Sequence, residues 1–233
     1  MTDTPTFPPL MSGERTTDDP FGRAQAMAAL GCDSGTVVYN VQADALRAAV
    51  VFAPDVALED AMAMLPLCGV GFQNALGALA PPEVAVHLTW DGGIRVNGAG
   101  CGHLSVASST SDAATVPDWL VVGLHVPIMM TADAPGDTPD VTALYNEGCA
   151  EVEPVVLLES WTRHCLNWIH RWEGEGNAPL HAEWMGLVSG VGEPIARAGF
   201  AGTFLGVDER FGMLIRDASS THLVPISTLV AET

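Results

Sequence analysis

Chemistry-bearing residues cluster near the middle of the chain, where a Trp-Asp pair precedes three glycines at alternate positions. The pair is Trp90 and Asp91, and the glycines are Gly98, Gly100 and Gly102. Strand interiors avoid glycine unless the backbone bulges or comes close to another group. An indole and a carboxylate beside such a strand end therefore predict a place where a small ligand meets a sheet. A hairpin with bulges and no ligand fits the same spacing, and the spacing alone does not separate the two interpretations.

A histidine lies inside a second candidate element. His125 belongs to the nearly continuous apolar run 119–126, which is typical of a strand covered on both faces. Within such a run, a histidine is more often a hydrogen-bonded core residue than a catalytic one, and this is the interpretation that the run favours.

The elements that would position these residues begin with a hairpin. Alternate apolar residues from 84 to 90 indicate a strand with one buried face. Asp91-Gly92-Gly93 then allows the positive φ values of a tight turn. Ile94 and Val96 are therefore predicted to return on the partner strand.

Periodicity and turn signals predict the other elements. The proline-rich residues 1–20 are expected to form an extended arm that packs on the surface or is partly disordered. Helices are predicted over 21–30, 55–79 and 154–172, the second with a kink at Pro66 and Gly69. Strands are predicted over 36–39 and 46–52, a surface loop over 131–140 and a turn-rich break over 174–178. Four or five short strands over 194–198, 199–207, 212–216 and 222–226 are typical of an SH3-like barrel.

Charge and cysteine content restrict the classes of function. The chain has 28 acidic and nine basic residues, and all nine basic residues are arginine. The resulting net charge of −19 argues against nucleic-acid and membrane partners. The five cysteines show neither a disulfide framework nor the Cys/His spacing of a zinc site. No signal peptide or membrane span is indicated, so we expect a cytoplasmic protein without metal ligands.

Six segments resemble, in order along the chain, the motifs of one known family. Its strand leading into the ligand loop is matched by GCDSGTVVYNVQ, its Lys-Trp-Pro-Asn-Asp element by VHLTWDGG, and its Lys-Leu-Ala-Gly-Ile-Leu element by AGCGHL. Its Gly-x-Gly-Ile-Asn strand is matched by VVGLHV, its Thr-Ser-Leu loop and helix by TALYNEGC and 155–172, and its C-terminal SH3-like domain by GTFLGVDERFGMLI. On these motifs, the chain is identified as a member of the biotin and lipoate protein ligase family.

The resemblance implies a fold and an activity. The fold is α+β: a class II synthetase-like catalytic domain with a mixed β-sheet over 1–178, followed by a small SH3-like β-barrel over 179–233. The activity uses ATP and magnesium to convert biotin or lipoate into an acyl-adenylate, which a lysine of a carrier protein then attacks. No helix-turn-helix extension is present, so the DNA-binding version of the family is not implied.

The resemblance also implies site residues. Gln42 occupies the position of a glutamine that contacts biotin, and Asp91 is the candidate catalytic residue. The residues expected to bind ligand or nucleotide are Gln42, Arg47, Trp90, Asn97, Gly102 and His125. No residue is expected to bind a metal directly.

The chain departs from the family pattern where positive charge is needed. The family's Gly-Arg-Gly-Arg loop reads 43–47 here, which leaves Arg47 and introduces Asp44, and the two motif lysines fall at Thr89 and Ala99. Removing one preorganised donor to a developing charge costs about a hundredfold to a thousandfold in rate. We therefore expect the adenylation step to be impaired.

Three functional hypotheses follow. The first is a divergent ligase that still activates a small carboxylate. The second is a catalytically inactive homologue that binds a carboxylate ligand, a carrier domain or another partner. The third is a cysteine acyltransferase using Cys101, beside His103, or Cys149, but neither lies where the lipoate branch places its nucleophile, so structural thiols are favoured.

Overall fold

The computed structural model describes residues 4–130 and 140–230, and its larger sheet has seven strands in the order β1-β2-β3-β7-β6-β5-β4. The strands are β1 (Ser12–Arg15), β2 (Thr36–Val41), β3 (Ala45–Phe52), β4 (Val86–Leu88), β5 (Gly93–Val96), β6 (Ala99–Ser108) and β7 (Leu120–Pro127). The pair β1 and β2 is parallel and the other neighbours are antiparallel. The mixed sheet of the predicted fold class is confirmed.

Helices cover both faces of this sheet. They are α1 (Pro20–Ala29), α2 (Leu58–Ala61), α3 (Met64–Leu79), α4 (Pro154–Glu175) and α5 (Asn177–Leu187), with short 3-10 helices at Leu144–Glu147 and Ile226–Leu229. Alternate residues of β3 point to opposite sides: Leu46 enters the large core under α3 and α4, whereas Ala49 packs with Ala24 of α1. The sheet is thus buried on both faces at its centre, which explains the continuous apolar run in β7.

The predicted hairpin is confirmed as β4 and β5. Val86 pairs with Val96, and the amide of Gly92, at φ +91°, donates to the Thr89 carbonyl at 3.1 Å. Helix α1 is also confirmed to within a residue of its predicted ends. The Asp19 carboxylate caps it by accepting from the Gly22 amide at 2.8 Å.

Two predictions for the N-terminal half need correction. The proline-rich arm contains β1, a four-residue strand that pairs with β2, with Ser12 opposite Thr36. The local sequence does not predict β1 because the strand depends on this pairing. The helix predicted over 55–79 is two helices, and the interruption lies between α2 and α3 at residues 62–63. Pro66 does not kink α3 because it occupies the first turn, where the missing amide hydrogen has no intrahelical partner.

The segment Leu58–Leu79 has the length and hydropathy of a membrane span, with a mean hydropathy of 1.3. However, 72% of its most apolar 18-residue stretch is buried inside the protein, as expected for a core helix. Gly69 of α3 lets this helix approach the sheet, since a Cβ there would lie 3.0 Å from a Leu88 methyl group.

The C-terminal strands form a separate four-stranded antiparallel sheet in the order β11-β10-β9-β8, compatible with the predicted SH3-like domain. They are β8 (Pro194–Arg197), β9 (Phe200–Val207), β10 (Met213–Arg216) and β11 (Thr221–Val224). Helix α5 was not predicted and contains the proposed 178/179 domain boundary, which stays a prediction. The loop predicted over 131–140 lies, except for Asp140, outside the described residues.

Candidate functional site

Four polar residues form a row across the face of the sheet that α1 covers. Asn40 of β2 pairs with Arg47 of β3, Arg47 pairs with His125 of β7, and His125 pairs with His103 of β6. Their neighbours along each strand, such as Leu124, enter the opposite core. Because cross-strand partners point to the same side, the register brings these four side chains together. We call Asn40, Arg47, His125 and His103 the polar row.

A pocket of about 320 Å³ lies above this row, and we call it the α1-face pocket. Its lining residues are Asp19, Pro20, Phe21, Arg47, Ala48, His103, Ser105, Gly123, Leu124 and His125. Gly123 makes room for the aromatic ring of Phe21, since a Cβ there would lie 2.6 Å from the ring. The pocket is therefore closed on one side by the first turn of α1 and on the other by the sheet.

The arginine in this pocket already has an anionic neighbour. The guanidinium of Arg47 lies 3.5 Å from the carboxylate of Asp44, with the two side chains 33% and 42% exposed. Asp44 is held in a tight β2–β3 turn, where its carbonyl oxygen accepts from the amides of Ile128 and Met129 at 2.7 and 3.2 Å. The positive charge of Arg47 is thus partly offset before any ligand arrives.

The two histidines of the polar row contact each other edge to face, with ring centroids 5.2 Å apart. Burial, followed by the neighbouring His103 and Arg47, lowers the pKa of His125, while Asp44 and Asp19 oppose the shift. A neutral imidazole offers one hydrogen-bond donor and one acceptor. At neutral pH, His125 can therefore orient a polar ligand but adds no positive charge to the pocket.

Two other predicted residues lie at or near this row. Gly102 adopts φ +119°, and a Cβ there would collide with the carbonyl oxygen of His125. Glycine thus permits the backbone bulge of β6 that precedes His103. Gln42 is exposed in the β2–β3 turn, where its backbone N–H donates to the Ala45 carbonyl at 3.0 Å.

Trp90 and Asp91, in contrast, lie at the contact with the C-terminal sheet. The Trp90 indole is 4% exposed, and its N–H donates to the carbonyl oxygen of Phe211 at 2.8 Å. Asp91 accepts from the Thr89 hydroxyl at 2.7 Å and forms an ion pair with Arg197 at 2.7 Å. Neither lines the α1-face pocket. They border a separate cleft of about 320 Å³ between the two sheets.

Asn97 lies at a third place, in the turn between β5 and β6. Its side-chain oxygen accepts from the Ala85 amide at 3.0 Å, and its side-chain nitrogen donates to the Glu147 carboxylate at 2.9 Å. The residue has φ +50°, a left-handed conformation that asparagine tolerates better than most residues. These contacts anchor the turn to the segment after β7.

The two candidate nucleophilic thiols are buried. Burial, with the nearby Glu147 as a smaller cause, raises the pKa of Cys101 to about 12. The same two causes raise the pKa of Cys149. Because the thiolate is the nucleophile, a raised pKa argues against a nucleophilic role for either cysteine, which supports the structural interpretation.

The pocket does not fit a magnesium nucleotide. Among the residues lining it, Arg47 is the sole arginine, and it faces Asp44. In the described parts of the chain, no group of three or more His, Cys, Asp or Glu side chains is arranged to hold a metal ion. A triphosphate carries several negative charges that need such partners, and the pocket supplies a single arginine for them.

Several residues that line this pocket were not predicted from the sequence. They are Asp19, Phe21 and Ser105, and His103 was considered only as a neighbour of Cys101. Asn40, which pairs with Arg47 in the polar row, was not predicted either. Alternation in β6 places His103 and Ser105 on one face, but only the register with β7 shows that this face is the one with His125. The missing information was strand pairing.

Comparison with known families gives two matches. Residues 7–186 match the model of the biotin/lipoate A/B protein ligase family. Residues 191–232 match a domain of unknown function, DUF4444. No curated protein matches the chain significantly.

Solved structures agree with the family match. A biotin protein ligase-like protein of unknown function from Silicibacter sp. TM1040 is 59% identical, with a TM-score of 0.94, and the match covers 98% of this chain and 100% of that one. The Aquifex aeolicus biotin protein ligase in complex with biotin and ATP is 14% identical, with a TM-score of 0.71 and coverage of 91% and 95%. This second likeness supports the fold. The catalytic-domain match spans most of the chain, and the chain belongs to the biotin/lipoate A/B protein ligase family.

Proposed function

We propose that this protein binds a small carboxylic acid of the biotin or lipoate type in the α1-face pocket, and that its ATP-dependent activation of the acid is impaired. The observation that carries the proposal is the side-by-side placement of Arg47, His125 and His103 along one wall of a pocket. The guanidinium supplies a charge-assisted partner for one carboxylate, and the neutral His125 supplies a directed hydrogen bond. A monoanion of this kind needs one cation, and the pocket supplies one.

The second half of the proposal concerns the adenylation chemistry. Thr89 and Ala99 stand where the family motifs carry lysine, and Asp44 stands beside the remaining arginine. Each missing donor to a developing charge costs about a hundredfold to a thousandfold in rate. Activation of the acid and its transfer to a carrier-protein lysine would therefore be far slower than in an enzyme with the full set.

Calorimetry with biotin, lipoate and octanoate tests the binding step. Arg47→Gln removes the charge-assisted contact and is expected to weaken carboxylate binding by about tenfold to a hundredfold. Arg163→Gln is the matched control, because Arg163 lies on α4 and contacts Glu159 at 3.9 Å instead of the pocket. Binding of none of the three acids, or equal losses in both variants, would refute the proposed site.

A second candidate function is a catalytically inactive homologue that only binds its carboxylate ligand or a carrier protein. The ion pair between Asp44 and Arg47 favours it, because the site's cation is partly neutralised. Exchange of labelled pyrophosphate into ATP, measured with each acid, separates the two functions. Ligand-dependent exchange supports an impaired ligase, whereas binding without any exchange supports the inactive homologue.

A further inference from the structure

A second, larger cleft lies on the opposite face of the sheet from the α1-face pocket. Its volume is about 460 Å³, within the range of small-molecule sites. We call it the far-face cleft. It is lined by Leu10, Met11, Ser34, Gly35, Val50, Phe52, Ala53, Pro54, Asp55, Val56, Ala61, Met64, Leu166, Ile169, His170, Trp172 and Glu173.

The walls of the far-face cleft are apolar and adaptable. Phe52 and Met64 form the deep side, and Leu166 and Ile169 of α4 face them from the helix. Methionine fills irregular space and repacks readily around a guest. This composition suits an unbranched hydrocarbon chain.

An exposed leucine marks the rim. Leu10 is 86% exposed and adopts φ +68°, a left-handed conformation that leucine rarely takes. An exposed leucine side chain in a left-handed backbone conformation adds no stability to the folded protein. Strained backbone of this kind concentrates at functional positions. The rim therefore offers additional apolar surface to a molecule in the cleft.

The polar side chains that line the cleft are two carboxylates, the Ser34 hydroxyl and the His170 imidazole. Asp55 and Glu173 lie at its exposed edge, and among the described lining residues none is an arginine. The nearest arginine of α4 along the chain, Arg171, is engaged elsewhere: its guanidinium stacks over Trp168 at 5.1 Å and pairs with Glu175 at 3.2 Å. The α1-face pocket thus has an arginine among its lining residues, whereas the far-face cleft has two carboxylates and no arginine.

We propose that the far-face cleft is a binding site for a small amphipathic amine. Its hydrocarbon chain packs between Met64, Phe52 and Ile169, and its ammonium group lies at the edge beside Asp55 and Glu173. A fatty acid is disfavoured because its carboxylate would meet two like charges. A second copy of this chain is disfavoured too, since each copy carries a net charge of −19.

Calorimetry at physiological salt with octylamine, octanol and octanoate tests this site. Octylamine is expected to bind best, octanol more weakly, and octanoate not at all in the far-face cleft. Lengthening the amine from four to eight carbons should raise affinity by up to about fourfold per methylene. Affinity independent of chain length would mean nonspecific attraction to an acidic protein, and octanoate binding here as tightly as octylamine would overturn the proposal.

Paired variants locate the binding. The double variant Asp55→Asn with Glu173→Gln is expected to weaken octylamine binding by about threefold to tenfold. Glu83→Gln with Glu183→Gln removes the same charge at two exposed positions outside the cleft and should leave it unchanged. Equal losses in both double variants would refute the assignment.

Two further measurements keep the test independent of folding and of the proposed function. A photoreactive diazirine alkylamine should label peptides containing Met11, Met64 or Leu166, and labelling confined to other peptides would contradict the proposal. Arg47→Gln should impair octanoate binding in the α1-face pocket and leave octylamine binding intact. Loss of both ligands in that variant would place them in one site and reject the far-face assignment.

Discussion

The guanidinium of Arg47 lies 3.5 Å from the carboxylate of Asp44, which lies in the turn between β2 and β3. Asp44 cannot easily swing away with its backbone, because its carbonyl oxygen accepts two amide hydrogen bonds from residues 128–129. A carboxylate ligand that approaches Arg47 must therefore compete with a carboxylate built into the chain. Asp44 thus partly offsets the one positive charge that Arg47 brings to the pocket.

Replacing Asp44 with asparagine should strengthen carboxylate binding. The Asp44→Asn side chain keeps its size but loses the charge that competes for Arg47, and a partly exposed ion pair contributes about 1 kcal/mol or less. We expect the affinity for biotin, lipoate or octanoate to rise by about twofold to fivefold in calorimetry. Asp118→Asn, which removes an exposed carboxylate away from the pocket, should have no such effect, and unchanged affinity in Asp44→Asn would show that the two carboxylates do not compete.

Trp90 is expected to stabilise the contact between the two sheets without touching the ligand. Trp90→Phe leaves the Phe211 carbonyl without the indole donor, in a place where both groups are buried. The free energy of unfolding in urea should fall by about 2 kcal/mol. Carboxylate affinity should remain that of the unmodified protein, and a selective loss of affinity with full stability would place the indole at the ligand.

Asp91 makes a similar contact through charge. The Asp91→Asn variant weakens the 2.7 Å ion pair with Arg197, which is partly exposed, so its stability cost should stay below about 1 kcal/mol. If pyrophosphate exchange is detectable in the unmodified protein, we expect most of it to survive in this variant. Loss of exchange by a hundredfold or more, with normal unfolding, would establish Asp91 as a catalytic residue after all.

Turn and capping residues in the sequence were sufficient to predict the elements that they begin or end, namely β4, β5 and α1. The Asp91-Gly92-Gly93 turn with alternating flanks predicts β4 and β5, and Gly31 with Asp18 or Asp19 near the start predicts the ends of α1, where the structure has Asp19 as the cap. In each case, the information lies within a few residues of the feature. Motif order along the chain then predicted the family and the mixed sheet.

The candidate site was harder to predict because it depends on strand register and on distant contacts. The Trp90 indole donates a hydrogen bond to the carbonyl oxygen of Phe211, which lies 121 residues later in the chain. No local sequence pattern predicts that contact. The polar row exists because four strands align Asn40, Arg47, His125 and His103, although the strand order is not the chain order. Residues chosen by motif alone were consequently divided among three separate places.

Acidification should destabilise the protein through His125. The pKa of this histidine is lowered in the folded protein, chiefly by burial, so the unfolded chain takes up a proton first as pH falls below the ordinary value of 6.5. Above that pH both states are neutral and the group contributes nothing; below it the unfolded state is favoured. The melting temperature should fall between about pH 7.5 and about pH 5.5 by less in His125→Gln than in the unmodified protein. His87→Gln, at an exposed position of β4, is the control, and equal acid sensitivity in both variants would contradict this account.

Gly102 and Gly98 form a matched pair that isolates how β6 positions the polar row. Both have positive φ, +119° and +92°, but a Cβ at Gly98 meets no atom within 4 Å, whereas one at Gly102 collides with the His125 carbonyl. Gly98→Ala should therefore cost about 1 kcal/mol of unfolding free energy from backbone strain alone. Gly102→Ala adds the collision and should cost about 3 kcal/mol, while also weakening carboxylate binding because β6 and β7 must separate at His103 and His125. Equal losses of unfolding free energy in the two variants would mean that the bulge adapts without disturbing β7. In that case the register of the neighbouring strand pairs, and not Gly102, would position the two histidines.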